Sequence, residues 1–215
     1  MPRATSALRL PLPTERLSSM SSSSPRHSLT TRLFHASLAA AVIVQLLSSL
    51  WMHRPRGTTP GNNFFLVHEY AGMVALALAF LFWVTVLRRH VGTAPGALIP
   101  WFSAERRRAL WADVGTHLRA ARALTLPPHD DKAALPSAIH GLGLLLISYM
   151  AVSGTYWYLM SLAGLGRSAF VAPFMELHGL LGNVVWAYLI GHAALALLHH
   201  VTRNLSLGVM WSLKS

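Results

Sequence analysis

The chain has no cysteine and few charged residues. Charged residues make up only 12% of its 215 residues, and 53% are hydrophobic, whereas an average soluble domain has about 25% charged residues. Without thiols, disulfide scaffolds, thiolate-held iron–sulfur clusters and catalytic cysteines are excluded. Any bound metal must therefore use His, Met, Asp or Glu. The high hydrophobicity also excludes a disordered chain and argues strongly against a soluble enzyme.

Four long segments contain almost no charge, and each is long enough to cross a bilayer, which takes roughly 20 apolar residues. We therefore predict an all-α fold: an integral membrane four-helix bundle with up-down topology. The predicted helices span about 30–53, 63–89, 136–163 and 173–201.

The distribution of basic residues predicts the orientation. Of the 18 Lys and Arg residues, only Arg54, Arg56 and Arg167 fall in the two loops on one side of the predicted bundle. The other 15 lie on the opposite side, in the two tails, in the loop 90–135 or at the helix ends beside them. Because positive charge stays in the cytoplasm, both termini and the loop 90–135 are predicted to be cytoplasmic.

The regions outside the helices divide simply. Residues 1–29 are rich in Ser, Arg and Pro and are predicted to form a disordered cytoplasmic tail, within which either Met1 or Met20 fits as the true start. Residues 30–203 form the transmembrane domain, and 204–215 a cytoplasmic C-terminal tail.

A basic amphipathic helix is predicted from Ser103 to Leu124 within the loop 90–135, with Ser103 as its N-cap. Two interpretations remain open for it. The helix could lie on the membrane surface, or it could form the docking site for a cytoplasmic partner protein.

Five histidines fall inside the apolar segments, where an ionisable side chain is costly and usually functional. A single histidine there could simply make an interhelical hydrogen bond. Five such residues in four helices favour a functional role. They are His35, His68, His140, His178 and His192.

The depths of these histidines suggest pairs. His68 and His178 each lie about five residues from the outer starts of their helices, whereas His35 and His192 lie towards the inner side. The 14 residues from His178 to His192 make about 21 Å of rise and nearly four turns, which puts both on one face. A bare zinc site needs three or four ligands at one level. Two pairs at two levels suit two haems, each held from both sides.

Glycines follow two of these histidines after one helical turn. Gly72 follows His68, and Gly182 follows His178. A glycine at this position leaves room for a flat macrocycle. Close helix packing explains the same glycines equally well.

Several motifs together resemble the bacterial cytochrome b561 and nickel–iron hydrogenase cytochrome b subunit family. They are "RLFHASL" around His35, "HEYAG" from His68, "IHGLGLLLISYMAVSG" from His140, "ELHGLLG" from Glu176 and "HAALALLHHVTRN" from His192. The resemblance covers about Thr30 to Met210.

The resemblance implies a bundle that holds two non-covalent haem b groups. It implies that His68 and His178 bind the outer haem iron, and that His35 and His192 bind the inner one. His199, two turns beyond His192 on the same face, is the alternative inner ligand. His140 is expected to act on the inner haem indirectly, for example through a hydrogen bond to a propionate.

The function implied is respiratory electron transfer in the bacterial inner membrane. Electrons would pass between a redox partner protein and the quinone pool, ubiquinone or menaquinone, with quinone reductase activity as one form of this role. The expected partners include membrane lipid but no nucleic acid. The chain could also form a homodimer. Two alternatives stay open: a cytochrome b anchor subunit of a larger dehydrogenase or hydrogenase complex, and a haem-free histidine-dependent proton or metal-ion transporter.

The charge asymmetry gives a direct test of orientation. A reporter that is active only in the cytoplasm should be active when fused after Ser215, because basic residues flank both tails. The same reporter placed between Arg54 and Arg56 should be inactive. Activity of a periplasm-specific reporter after Ser215 would contradict the predicted topology.

Overall fold

The computed structural model describes residues 28–88, 92–125 and 133–202. Within these ranges the chain is helical and has no β-strand. Its six α-helices are α1 (Leu29–Ser49), α2 (Asn63–Arg88), α3 (Pro95–Leu98), α4 (Ala104–Arg122), α5 (Ala134–Leu162) and α6 (Ala172–Val201). Most of the predicted N-terminal tail, the choice between Met1 and Met20, and the C-terminal tail lie outside the described residues.

Four of these helices, α1, α2, α5 and α6, are long and apolar enough to cross a membrane. This confirms the predicted all-α membrane bundle. Large apolar side chains point outward from it: Phe80 is 65% exposed and Leu180 is 66% exposed. Such side chains are costly in water and favourable in lipid. The chain is therefore a multi-pass membrane protein.

The loop between α1 and α2 is held by one asparagine. Asn62 Oδ1 accepts hydrogen bonds from the backbone N–H of His53 and of Phe65, each at 3.0 Å. Its Nδ2 donates to the carbonyl of Trp51 at 2.8 Å. Helix α1 ends at Ser49, four residues before the predicted end at residue 53. The residues after Ser49 belong to this compact loop.

The apolar core lies in the middle of the bundle and draws on all four long helices. A hydrogen bond crosses near it, since Trp83 Nε1 on α2 donates to Ser148 Oγ on α5 at 2.9 Å. The polar end of the tryptophan is thus satisfied without water. The buried core residues are Leu38, Val42, Leu46, Ala79, Leu144, Ile147 and Val185.

The start of α5 anchors the segment that links α2 to α5. Gly141 is buried directly against the backbone of Leu98 in α3. The carboxylate of Asp113 on α4 accepts a hydrogen bond from the backbone N–H of Leu135 at 2.8 Å, and so satisfies a donor that the first turn of α5 leaves unpaired. Both α3 and α4 are therefore fixed at the end of the bundle where α5 begins.

The contact between Gly141 and Leu98 predicts that Gly141→Ala destabilises the protein by roughly 1–3 kcal/mol, because a Cβ would meet the Leu98 backbone rather than a flexible side chain. The matched control is Gly115→Ala on α4, where a Cβ meets nothing within 4 Å. That change should be neutral or stabilise by up to about 1 kcal/mol. Thermal unfolding in detergent measures both, and equal melting temperatures for the two variants would contradict the packing at Gly141.

Candidate functional site

Helices α2 and α6 bring the rings of His68 and His178 close together, edge to face. Their ring centres are 6.3 Å apart, and the ring planes make an angle of 74°. Both side chains are half-buried. The pair lies towards the end of the bundle that carries the loop between α1 and α2.

Hydrogen bonds hold the Nδ1 atom of each ring against a neighbouring helix. His68 Nδ1–H donates to the backbone carbonyl of Gln45 on α1 at 3.0 Å. His178 Nδ1 lies 2.9 Å from Ser153 Oγ on α5. That hydroxyl also lies 2.8 Å from the Tyr149 carbonyl, to which it can donate, and this leaves its oxygen able to accept from the imidazole. With Nδ1 protonated in both rings, each Nε2 keeps the lone pair that binds a metal.

A cavity of about 400 Å³ opens between the four long helices at this pair. Its lining includes both histidines and four glycines from three helices: Gly72, Gly154, Gly179 and Gly182. A Cβ on Gly182 would meet nothing within 4 Å, and one on Gly154 would lie 3.4 Å from His178 Cε1. Gly154 and Gly182 therefore keep the wall beside His178 clear of side chains, whereas Gly72 packs closely against the Gln45 amide, 3.2 Å from its Cβ position.

Helices α1 and α6 bring a second pair together. The ring centres of His35 and His192 are also 6.3 Å apart, with the planes at 49°. Tyr188 stacks on His192, at 5.6 Å and 15°, and its ring packs against Gly143. His140 on α5 also contacts His192, edge to face, with the ring centres 5.1 Å apart.

The ring spacing of both pairs is that of two imidazoles that would hold one haem iron between them. With metal–nitrogen bonds of about 2.0 Å, two imidazoles on opposite sides of one metal have ring centres about 6 Å apart. The angle between the planes is free, because each ring can rotate about its own metal–nitrogen bond. Among the residues that the structure describes, no group of three or more His, Asp or Glu could hold a bare ion. The donors fit haem better than zinc.

The structure thus brings together His68 with His178 and His35 with His192, the same residues that the sequence paired by depth. Their role as ligands stays a prediction. His199 lies seven residues after His192 near the end of α6. The ring of His140 lies nearer to His192, at 5.1 Å, than the ring of His35 does, at 6.3 Å. His140 is therefore a second candidate for the ligand opposite His192.

Sequence reasoning missed the groups that orient the rings. Ser153 and the Gln45 carbonyl hold the His178 and His68 rings, and Tyr188 covers one face of His192. A serine within an apolar helix was a usable signal for Ser153. A backbone carbonyl carries no signal in the sequence.

One protein-family model matches all of the described chain. Residues 26–212 match the family model described as prokaryotic cytochrome b561. No curated protein and no solved structure matches the chain significantly. The match includes all four long helices and all the histidines considered above.

The open space at Gly182 gives a test of the cavity. Gly182→Leu should leave the bundle folded but fill the space beside His178, and so lower haem retention at that pair at least several-fold. Gly191→Leu is the matched control, because Gly191 is an exposed glycine on the same helix whose Cβ meets nothing within 4 Å. Haem bound per purified protein, read from the reduced visible spectrum, is the measurement. Equal haem content in the two variants would show that the cavity holds no macrocycle.

Proposed function

Because the chain belongs to the prokaryotic cytochrome b561 family, we propose that it is a two-haem electron carrier of the bacterial inner membrane. Membrane electron transfer by haem b is the activity that the family indicates. The further steps of the proposal are that there are two haems, that four named histidines hold them, and that quinone is one of the redox partners.

One observation carries the proposal: two histidine pairs with the same 6.3 Å ring spacing occur at two levels of one bundle. Both pairs use α6, which contributes His178 and His192. The partners come from α2 and α1. An electron carrier that spans a membrane needs such a succession of sites, because one site cannot serve both surfaces of an apolar layer about 30 Å thick.

When bound, haem supplies a one-electron redox centre, and the chain supplies its binding and orientation. His68 and His178 would hold one haem, and His35 and His192 the other. Held between two histidines, such a group would supply electron transfer rather than oxygen chemistry.

The hydrogen bonds at Nδ1 are the main contribution of the protein to the His68/His178 site. The Gln45 carbonyl and Ser153 Oγ fix the ring orientations and raise the basicity of each Nε2. The apolar core between the two pairs excludes water. Arg54 lines the edge of the cavity, where its charge would favour an anionic group such as a haem propionate.

The proposed physiological role is electron exchange between a redox partner protein and ubiquinone or menaquinone, with quinone reductase activity as one form of it. A cytochrome b anchor subunit of a larger dehydrogenase or hydrogenase complex would use the same two sites. The paired geometry favours both roles over a haem-free transporter, which needs no fixed ring spacing.

The ligand assignment predicts the haem content of variants. The protein should bind about two haems, and both His68→Ala and His178→Ala should lose about half of the total, because an iron held by one ligand is easily lost. His192→Ala combined with His199→Ala should lose the other half, since His199 could otherwise replace His192. His140→Ala should shift the potential of that second haem but keep both haems. Haem per protein and low-spin EPR signals measure the loss of each haem, and redox titration measures the shift in potential.

Two results would change the assignment. If His140→Ala lost a haem while His35→Ala kept both, His140 would be the second ligand opposite His192. A colourless protein after expression with ample haem would contradict the whole proposal and favour the transporter.

A further inference from the structure

Helix α4 is held to the bundle along one side only. Leu110 is 7% exposed, and the carboxylate of Asp113 bonds the backbone N–H of Leu135 at the start of α5. The same carboxylate lies 3.1 Å from His117 Nδ1. These contacts fix which side of α4 faces away from α5.

Two large apolar side chains lie on an outward side of α4. Trp111 is 71% exposed and Leu118 is 54% exposed. They are seven residues apart, so they lie on the same side of the helix, about 10 Å apart along its axis. Gly115 lies between them, and a Cβ there would meet nothing within 4 Å. Nothing in the part of the chain that the structure describes covers this apolar strip.

Arginines border the strip. At 100° per residue they all fall within about 80° of Trp111, and all of them are exposed. The two acidic residues of α4, Glu105 and Asp113, project from other sides. The outward face is therefore apolar in the middle and purely positive at its edges. The bordering residues are Arg107, Arg108, Arg119 and Arg122.

The position of α4 identifies the layer that this face meets. Asp113 contacts the first turn of α5, a helix long and apolar enough to cross the membrane. The face thus lies at the level where the chain enters the bilayer. Tryptophan is enriched at this level, and arginine there contacts anionic headgroups.

We propose that this face of α4 binds anionic phospholipid headgroups of the membrane that the bundle spans. Trp111 and Leu118 enter the boundary between headgroups and acyl chains, and the bordering arginines contact the phosphates. The inference is independent of haem binding. It selects the membrane surface over an acidic partner protein as the occupant of the face.

The absence of cysteine makes a site-specific experiment possible. Gly115→Cys gives one thiol in the middle of the face, and an environment-sensitive fluorophore on it reports contact with lipid. In nanodiscs of phosphatidylcholine with increasing phosphatidylglycerol, the emission should shift to the blue, and iodide quenching should fall several-fold. High salt should reverse part of the change, because it screens the attraction.

Two variants that each remove one positive charge distinguish binding by this face from a general attraction due to net charge. Arg122→Gln on the face should raise the phosphatidylglycerol fraction needed for half of the shift several-fold. Arg106→Gln is the matched control, because Arg106 lies over Gly96 on another side of α4, and it should leave the titration unchanged.

Two outcomes would overturn the proposal. Equal emission and quenching in nanodiscs with and without phosphatidylglycerol would leave an acidic protein as the occupant. Equal effects of Arg122→Gln and Arg106→Gln would show that net charge attracts the lipid and that this face does not.

Discussion

The geometry of the site depends on how an imidazole is held inside an apolar bundle. A ring with one nitrogen bonded to the protein has one orientation, and its other nitrogen then faces a defined direction. For His68 the bond is to a carbonyl of α1, and for His178 it is to a serine of α5. Each ring is thus fixed by a helix other than its own. The two rings therefore take up these positions only when α1 is packed beside α2 and α5 beside α6.

Glycine has two different uses in this bundle. Gly141 and Gly143 allow close contact, one with the Leu98 backbone and the other with the Tyr188 ring. Gly182 has no neighbour within 4 Å of its Cβ position and borders a cavity. Membrane helices associate through small residues at their contacts, which explains Gly143, whereas Gly141 makes room for the backbone of the short helix α3. A glycine beside open space needs another reason, and room for a flat cofactor supplies one.

The helices and the histidine levels could be predicted from the sequence, because hydropathy and the rise per residue depend only on local sequence. The direction of each side chain around its helix depends on packing between helices, and depth alone does not give it. For this reason the expectation for His140 was incomplete: its level was recognisable, but its contact with the His192 ring was not. The role of Ser153 was missed for the same reason, since it depends on a hydrogen bond from α5 to His178 on α6.

The two pairs share a ring spacing, but the surroundings of His192 differ from those of the His68/His178 pair. His68 and His178 are held by hydrogen bonds and border an open cavity. His192 is instead packed between aromatic rings, with Tyr188 stacked on it and His140 at its edge. Hydrogen bonding and local polarity both tune the potential of a bound haem. Two haems in these surroundings would therefore differ in potential although their ligands are chemically the same. Such a difference gives electron flow between two similar sites a preferred direction.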